Sequence, residues 1–301
     1  MNPYELGATL YMPATRDDLA DIGNARKYPE LRSIVYCTED AVRERDLDDA
    51  LASLERQLPA LEHGVNRPLR FVRPRNPRVL ERVLAMSGVF ALQGAVLPKV
   101  TLADVDAWAT LLRGVPLAVM VTLETPDVFD ATHPERMRDA LLASGLQLAC
   151  VRVGGNDLLG ALGLRRVRGV TAYDTALGGV IDRVVQAFRP HGVNVSAPVY
   201  DVIDDPRTLE REARLDLARG TFGKTIIHPV QAPIVHAAYR VDQLDLDCAE
   251  AILQDDAPAV FRLHGRMCEP STHRGWAIGI VERARVYGTV HAPPAPEPSA
   301  F

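Results

Sequence analysis

The sequence predicts an α/β fold: a (β/α)8 TIM barrel followed by a C-terminal helical extension. Two observations carry that prediction. Apolar β-like runs alternate with helical stretches along most of the 301 residues, and a charged residue stands just past one run after another. Charges gathered at the same end of successive parallel strands converge in space, which is how such a barrel assembles an active site.

The first run is Thr9-Leu10-Tyr11-Met12, closed by Pro13, with a helix expected near Asp17. The second, Ser33 to Cys37, leads into an amphipathic stretch from about Glu44 to Leu61, where Leu47, Leu51, Leu54 and Leu58 recur at helical spacing. The third, Leu69 to Val72, meets a helix near Pro77, since proline suits the first helical position. The fourth, Gly94 to Pro98, precedes a helix over Thr101 to Leu112, with Thr101 as N-cap and Asp104 completing a variant capping box. Runs five (117–123) and six (146–153) flank a helix near 134–143 that ends at Gly145. A Gly-rich loop is expected after the sixth, then a helix from about Ala172 to Phe188. The seventh run, Asn194 to Ala197, is short, and a helix around 206–218 leads to the eighth, near 221–227.

Eight alternations favour a closed barrel over an open doubly wound sheet, the competing architecture. From Pro229 to Tyr287 the chain reads mostly helical, broken at Leu263-His264-Gly265-Arg266 and at Pro270. The expected domains are a barrel over 1–230, the last barrel helix and a helical extension over 231–290, and a disordered Pro/Ala-rich tail over 291–301. The extension reads as a lid or a subunit contact.

With 47% hydrophobic and 24% charged residues, the chain has the composition of a soluble globular protein with a sizeable core. A net charge of -5 argues against a nucleic-acid partner, which would call for a basic stripe. No apolar run reaches the roughly 18 residues of a membrane span, and the N-terminus lacks the basic and apolar regions of a signal peptide. Four cysteines, Cys37, Cys150, Cys248 and Cys268, lie far apart without CxxC pairing. They read as reduced thiols, and the expected localisation is cytoplasmic.

Among the charges past the runs, Glu124 and Asp157 are the metal-site candidates. Two carboxylates from adjacent strands, with room left for water and substrate, suit Mg²⁺, a hard cation that often takes only one or two protein carboxylates. Each acid taken alone reads first as a helix N-cap or a surface acid just past a strand. Gly154 and Gly155, just ahead of Asp157, let a ligand approach the backbone and so join the substrate-binding candidates. Arg73 can grip a carboxylate or hold an oxygen where charge develops, and it can also pair with Glu39 or Asp40. Alternation sends Arg70 elsewhere. Glu39 and Asp40 are candidates for general-base work or for capping the next helix. Lys99 could form a Schiff base if its pKa were lowered; beside several acids it would stay charged and act electrostatically. His228, past the eighth run, stands where a barrel mouth would present it to substrate. No HExxH, GxSxG, Walker A or GxGxxG motif occurs.

These residues resemble the HpcH/HpaI aldolase and citrate lyase β-subunit family, in its branch described as C–C bond lyases of the TIM-barrel fold. Thr9 to Pro13 is similar to the family's "lyvPg" strand, Thr38-Glu39-Asp40-Ala41-Val42 to "DLEDAV", and Phe71 to Asn76 to "vRvN". Leu97-Pro98-Lys99 matches "lPKv", Glu124-Thr125 "iEt", and Gly154-Gly155-Asn156-Asp157-Leu158 "fGxxDl". Gly223 to Gln231 matches "GKxxiHPxQ", and Gly265 to Glu269 is similar to "dGkMiD". The matches run in order across about residues 8–287. The resemblance implies a TIM barrel, Mg²⁺ held by Glu124 and Asp157, Arg73 at a substrate oxygen, and carbon–carbon bond cleavage or formation. It also implies a homo-oligomer, trimer or hexamer, whose C-terminal segment, with Glu269 in place of the usual Asp, reaches a neighbouring subunit's site.

The chain departs from the family where acyl-CoA members hold their thioester. Gly7-Ala8 stand where an arginine is usual, and Cys37-Thr38-Glu39-Asp40 has lost one acid of the "DLED" motif. A coenzyme A thioester is therefore the weaker substrate expectation. The expected function is a Mg²⁺-dependent lyase or aldolase acting on a small carboxylated substrate, a 2-oxo acid or a β-hydroxy acyl compound. Thioester hydrolysis on the same site and a non-catalytic barrel serving a complex are the alternatives.

Overall fold

Strand and helix alternate throughout the computed structural model, which describes residues 2–64 and 66–291. The chain begins with β1 (Ala8–Pro13), α1 (Leu19–Gly23), β2 (Ser33–Cys37), α2 (Leu47–Gln57), β3 (Leu69–Arg73) and α3 (Pro77–Leu84). It continues through β4 (Gly94–Leu97), α4 (Val105–Leu112), β5 (Ala118–Leu123), α5 (His133–Ala143), β6 (Leu148–Val153) and α6 (Gly155–Ala161). Then come α7 (Ala176–Phe188), β7 (Val195–Ala197), α8 (Pro206–Ala218), β8 (Gly223–Ile226) and α9 (Gln231–Ala238). Each strand of β1–β8 pairs with the next, and β8 returns to β1 with Thr225 opposite Thr9, so the sheet closes in strand order. The architecture is a (β/α)8 barrel, and the open-sheet alternative falls away.

The two-residue pleat of each strand sorts side chains between interior and helices. Val35, Phe71, Val96, Met120 and Cys150, one from each of β2–β6, share a buried cluster with Leu6 and Phe222. Two positions further along the same faces stand Cys37, Arg73, Pro98, Thr122 and Arg152. The interior therefore turns from apolar to largely polar within one repeat of the pleat, toward the C-terminal strand ends. Arg70 sits on the opposite face from Phe71, as alternation predicts, and its Nη2 donates to the Glu62 carbonyl at 2.8 Å. Local chemistry starts the helices: Asn76 accepts from the Val79 amide at 3.1 Å, with Pro77 in the first turn of α3. Asp205 does the same for Thr208 at 3.2 Å ahead of Pro206 in α8.

Three sequence expectations need correction. The stretch after β6 is helical rather than a Gly-rich loop, because α6 starts at Gly155 and carries Asp157 in its first turn. The helix expected from Thr101 starts at Val105; the Asp104 carboxylate bonds both the Thr101 amide (2.9 Å) and its hydroxyl (2.6 Å), closing a turn before the helix. The third concerns the stretches on either side of the break at 263–266, which read as helical and instead form the two strands of a β-hairpin, Phe261–Leu263 and Arg266–Cys268.

That hairpin belongs to a second compact unit, which runs from His236 and includes Asn2, while the barrel unit spans Pro3–Val235. The second unit contains β9 (Val241–Asp242), α10 (Gln243–Ile252), β10 (Phe261–Leu263), β11 (Arg266–Cys268), α11 (Pro270–Tyr287) and β12 (Thr289–Val290). β10 and β11 are antiparallel with Leu263 opposite Arg266, and His264 and Gly265 both have positive φ, the conformation of a tight two-residue hairpin turn. Val241, Cys248, Ala249, Ile252, Cys268, Ala277 and Ile280 form its core. Most of the expected disordered tail, 292–301, lies outside the described residues. All four cysteines are free and buried. Among the described residues no helix is long and apolar enough to cross a membrane.

Candidate active site at the barrel mouth

A cavity of about 420 Å³ opens at the C-terminal ends of the strands, lined by Tyr11, Asp40, Arg73, Glu124 and Gly154 to Asp157 among others. The charged residues picked out after successive runs meet around it because parallel strands end on one rim. Arg73 ends β3, nearly buried, and its Nη2 lies 2.9 Å from Glu39 Oε2 and 3.5 Å from Asp40 Oδ2. Its Nε donates to Cys37 Sγ at 3.2 Å. Lys99, just past β4, sends Nζ to Glu39 Oε1 at 2.6 Å and Asp40 Oδ1 at 2.7 Å, with Asp157 Oδ1 at 3.8 Å. Glu39 and Asp40 are thus each shared between two cations.

The Lys99 backbone has φ near 50°, a left-handed conformation that costs a side-chain-bearing residue about 1–2 kcal/mol. Its amide in turn donates to Glu124 Oε1 at 2.8 Å, tying the ends of β4 and β5 together. Glu39 and Lys99 do not line the cavity; they hold Arg73 and Asp40 at its edge. His228, expected at the mouth, does not line it either. The His228 side chain is exposed, its Nδ1 accepting from the Val230 amide at 3.3 Å, while Thr225 and Ile227 of the same segment reach the cavity. In the second unit, Glu269 is the N-cap of α11 and its Oε2 accepts from the Thr272 hydroxyl at 2.8 Å.

Electrostatics separates the acids. Burial, then the Asp157 charge, pushes the Glu124 carboxyl up to about 8, against the pull of Arg73. Asp157 is also raised, by burial and by Asp40, although Lys99 and Arg73 oppose it. Asp40 is lowered: burial works against ionisation, but side-chain hydrogen bonding with Glu39 and Lys99, with the Arg73 charge, outweighs it. Burial acts to lower Lys99, yet Asp40 and Glu39 hold it above the ordinary lysine range. A Schiff base at Lys99 needs the reverse shift.

Two crowded acids that resist ionising together would be relieved by a bound cation. Their oxygen donors fit a small hard divalent ion that completes its shell with water and substrate. Among the described residues no cluster of three or more His, Cys, Asp or Glu offers a closed metal cage.

Sequence reasoning overlooked part of the lining. Tyr11, Thr122, Arg152 and Thr225 all face the cavity from inside strands rather than from beyond their ends. The signal was available in the pleat: Thr122 and Arg152 stand two positions past Met120 and Cys150, on the faces that build the barrel core.

A family described as C–C bond lyases of the TIM-barrel fold matches residues 1–289. The chain belongs to this family. Its relationship to citrate lyase β-like proteins, anticipated from the motifs, is borne out by a citrate lyase subunit beta-like protein of Deinococcus radiodurans, 27% identical over 277 residues, 87% of this chain and 90% of that protein. A (3S)-malyl-CoA thioesterase of Cereibacter sphaeroides is 29% identical over 221 residues, 72% of each chain. Among solved structures, the CitE protein of Mycobacterium tuberculosis in complex with magnesium, acetoacetate and coenzyme A shares the fold. Its TM-score is 0.69 at 22% identity, covering 94% of this chain and 99% of that one. RipC of Yersinia pestis gives 0.59 at 18% identity, over 78% and 95%. This family member thus has the barrel of CitE and motif residues gathered at one mouth.

Proposed function

We propose that this C–C bond lyase family member is a Mg²⁺-dependent lyase that splits, or in reverse joins, a carbon–carbon bond in a small carboxylated substrate. The observation that carries this reading is the convergence of Glu124, Asp157 and Arg73 on one cavity of about 420 Å³. Support comes also from the CitE protein of Mycobacterium tuberculosis, which was solved in complex with magnesium and oxaloacetate and with magnesium and pyruvate. Mg²⁺ held by Glu124 and Asp157 would supply Lewis-acid and template chemistry toward a carboxylate and its neighbouring oxygen.

The chain's own residues account for the remaining steps. Asp40, kept ionised by Lys99 and Arg73, takes the proton of the substrate hydroxyl, directly or through water. As the carbon–carbon bond breaks, its electron pair moves to the neighbouring carbonyl, whose oxygen becomes an enolate. The Arg73 guanidinium, fixed by Glu39, stabilises that developing charge. Losing one such contact costs on the order of 3 kcal/mol in the barrier.

Glu124→Gln and Asp157→Asn are expected to abolish metal-dependent turnover while leaving the unfolding midpoint within a few degrees; unchanged turnover in both variants refutes the metal assignment. Resemblance to (3S)-malyl-CoA thioesterases favours a second reading, thioester hydrolysis at the same mouth. Product analysis separates the two, because hydrolysis leaves the acyl carbon skeleton whole.

A further inference from the structure

Arg152 projects from β6 into the barrel and lines the mouth cavity, 1% exposed. Its Nη2 donates to Thr225 Oγ1 at 2.8 Å, while Nη1 meets Met120 Sδ at 3.3 Å and Thr9 Oγ1 at 3.5 Å. Its Nε has no partner, and no ion pair to a carboxylate is formed among the described residues. Thr122, on the neighbouring strand and also lining the cavity, is 5% exposed with an unpartnered Oγ1.

Other buried arginines make the contrast. Arg73 lies on the same tyrosine: the two guanidinium carbons stand 5.2 Å (Arg73) and 5.5 Å (Arg152) from the Tyr11 ring centre. Arg73, however, has Glu39 at 2.9 Å, and Arg166 has Glu212 at 2.8 Å. Arg70 lacks a carboxylate too, but it faces a backbone carbonyl beneath the helices, away from the mouth. Arg152 alone of these four combines a buried, unpaired charge with an opening onto the cavity. A guanidinium has five donors and no acceptor, and burying its charge unpaired is strongly unfavourable. One guanidinium beside one free hydroxyl matches the single charge and two oxygens of a carboxylate.

We infer that Arg152, with Thr122 and Thr225, forms a subsite on the barrel floor for a second carboxylate of the substrate. The inference rests on the lyase reading of the mouth and narrows it: the substrate is a dicarboxylate, with one acid group toward Glu124 and Asp157 and the other on Arg152.

The test is thermal unfolding of the full chain with Mg²⁺ present, in succinate or in acetate at matched ionic strength. Succinate is expected to raise the midpoint by about 2 °C or more beyond acetate. Arg152→Met is expected to erase that difference, Arg152→Lys to keep part of it, and Thr122→Val to reduce it. With Mg²⁺ present, calorimetry is expected to show oxaloacetate binding at least about tenfold tighter than pyruvate, and Arg152→Met to remove the preference. Equal succinate responses in the wild type and Arg152→Met, or no preference for dicarboxylate in the wild type, overturn the subsite. If Arg152→Met does not fold, an undiminished response in both Arg152→Lys and Thr122→Val overturns it as well. A succinate response that depends on Arg152, in a protein whose turnover ignores Glu124→Gln and Asp157→Asn, upholds the subsite and refutes the Mg²⁺-dependent reading of the mouth instead.

Discussion

Gly154 packs directly against Glu124: a Cβ built on the glycine would stand 2.2 Å from Glu124 Oε2 and 2.3 Å from its Cβ. No real Cβ tolerates that approach, so the glycine at the end of β6 makes the room in which the carboxyl at the end of β5 sits. Gly154→Ala is therefore expected to displace Glu124 rather than to unfold the barrel. Because a misplacement of about 1 Å at a reacting centre can cost on the order of a hundredfold in rate, we expect a loss of ten- to a hundredfold in turnover and weaker Mg²⁺ binding. Steady-state kinetics and metal titration check this; wild-type values for both would show that Glu124 has slack the packing does not reveal.

Asp18 makes acid stability a second measurable quantity. Arg16 Nε lies 2.7 Å and Lys27 Nζ 2.5 Å from its carboxylate, which Arg16 above all, aided by Lys27, holds at about 2 against an ordinary value of 3.8. A carboxyl lowered on folding stabilises the native state fully above its unfolded value and loses that contribution as pH falls through its folded value. The stabilisation is thus present above about pH 4 and fades toward pH 2. The pair is partly exposed, so about 1 kcal/mol is the appropriate scale after screening. Asp18→Asn is expected to lower stability at neutral pH by that amount and to lose less between pH 4 and 2 than the wild type does. Denaturant melts across that range provide the comparison, and parallel curves would refute the assignment.

Lys224 on β8 is fully buried with three partners: Glu212 Oε1 at 2.8 Å, Asp216 Oδ2 at 2.8 Å and the Pro198 carbonyl at 3.0 Å. Glu212 also holds Arg166 and the Ala172 amide, so the cluster ties α8 to the segment before α7. Lys224→Met leaves Glu212 with Arg166 and strands the buried Asp216 carboxylate with the Tyr173 hydroxyl and no cation among the described residues. Removing one partner of a buried pair typically costs about 3–5 kcal/mol, which here corresponds to a fall in the melting midpoint of roughly 6 °C or more. Differential scanning fluorimetry reads it, and a midpoint within 2 °C of wild type would contradict the role.

Much of the site could be read from the chain because barrel rims are simple in sequence terms. Whatever follows an inward-facing strand lands on the mouth, so Arg73, Lys99, Glu124 and Asp157 were visible from their positions alone. His228 obeys the same positional rule and still fails it. Past the last strand the backbone turns toward α9, and the imidazole follows it outward to cap the Val230 amide. Arg152 fails in the opposite sense: inside an otherwise apolar run it reads as an interruption, although the pleat aims it at the cavity.

Apolar periodicity alone was enough to specify eight strand–helix repeats, because burial rewards one face of each element wherever it packs. The ordered motifs likewise specified the family. Which acids share which cations depends instead on side chains brought together from separate strands at 2.6–3.5 Å. Such distances come from barrel closure and strand register. The same closure leaves the Arg152 charge without a carboxylate, a condition that no local stretch of sequence encodes.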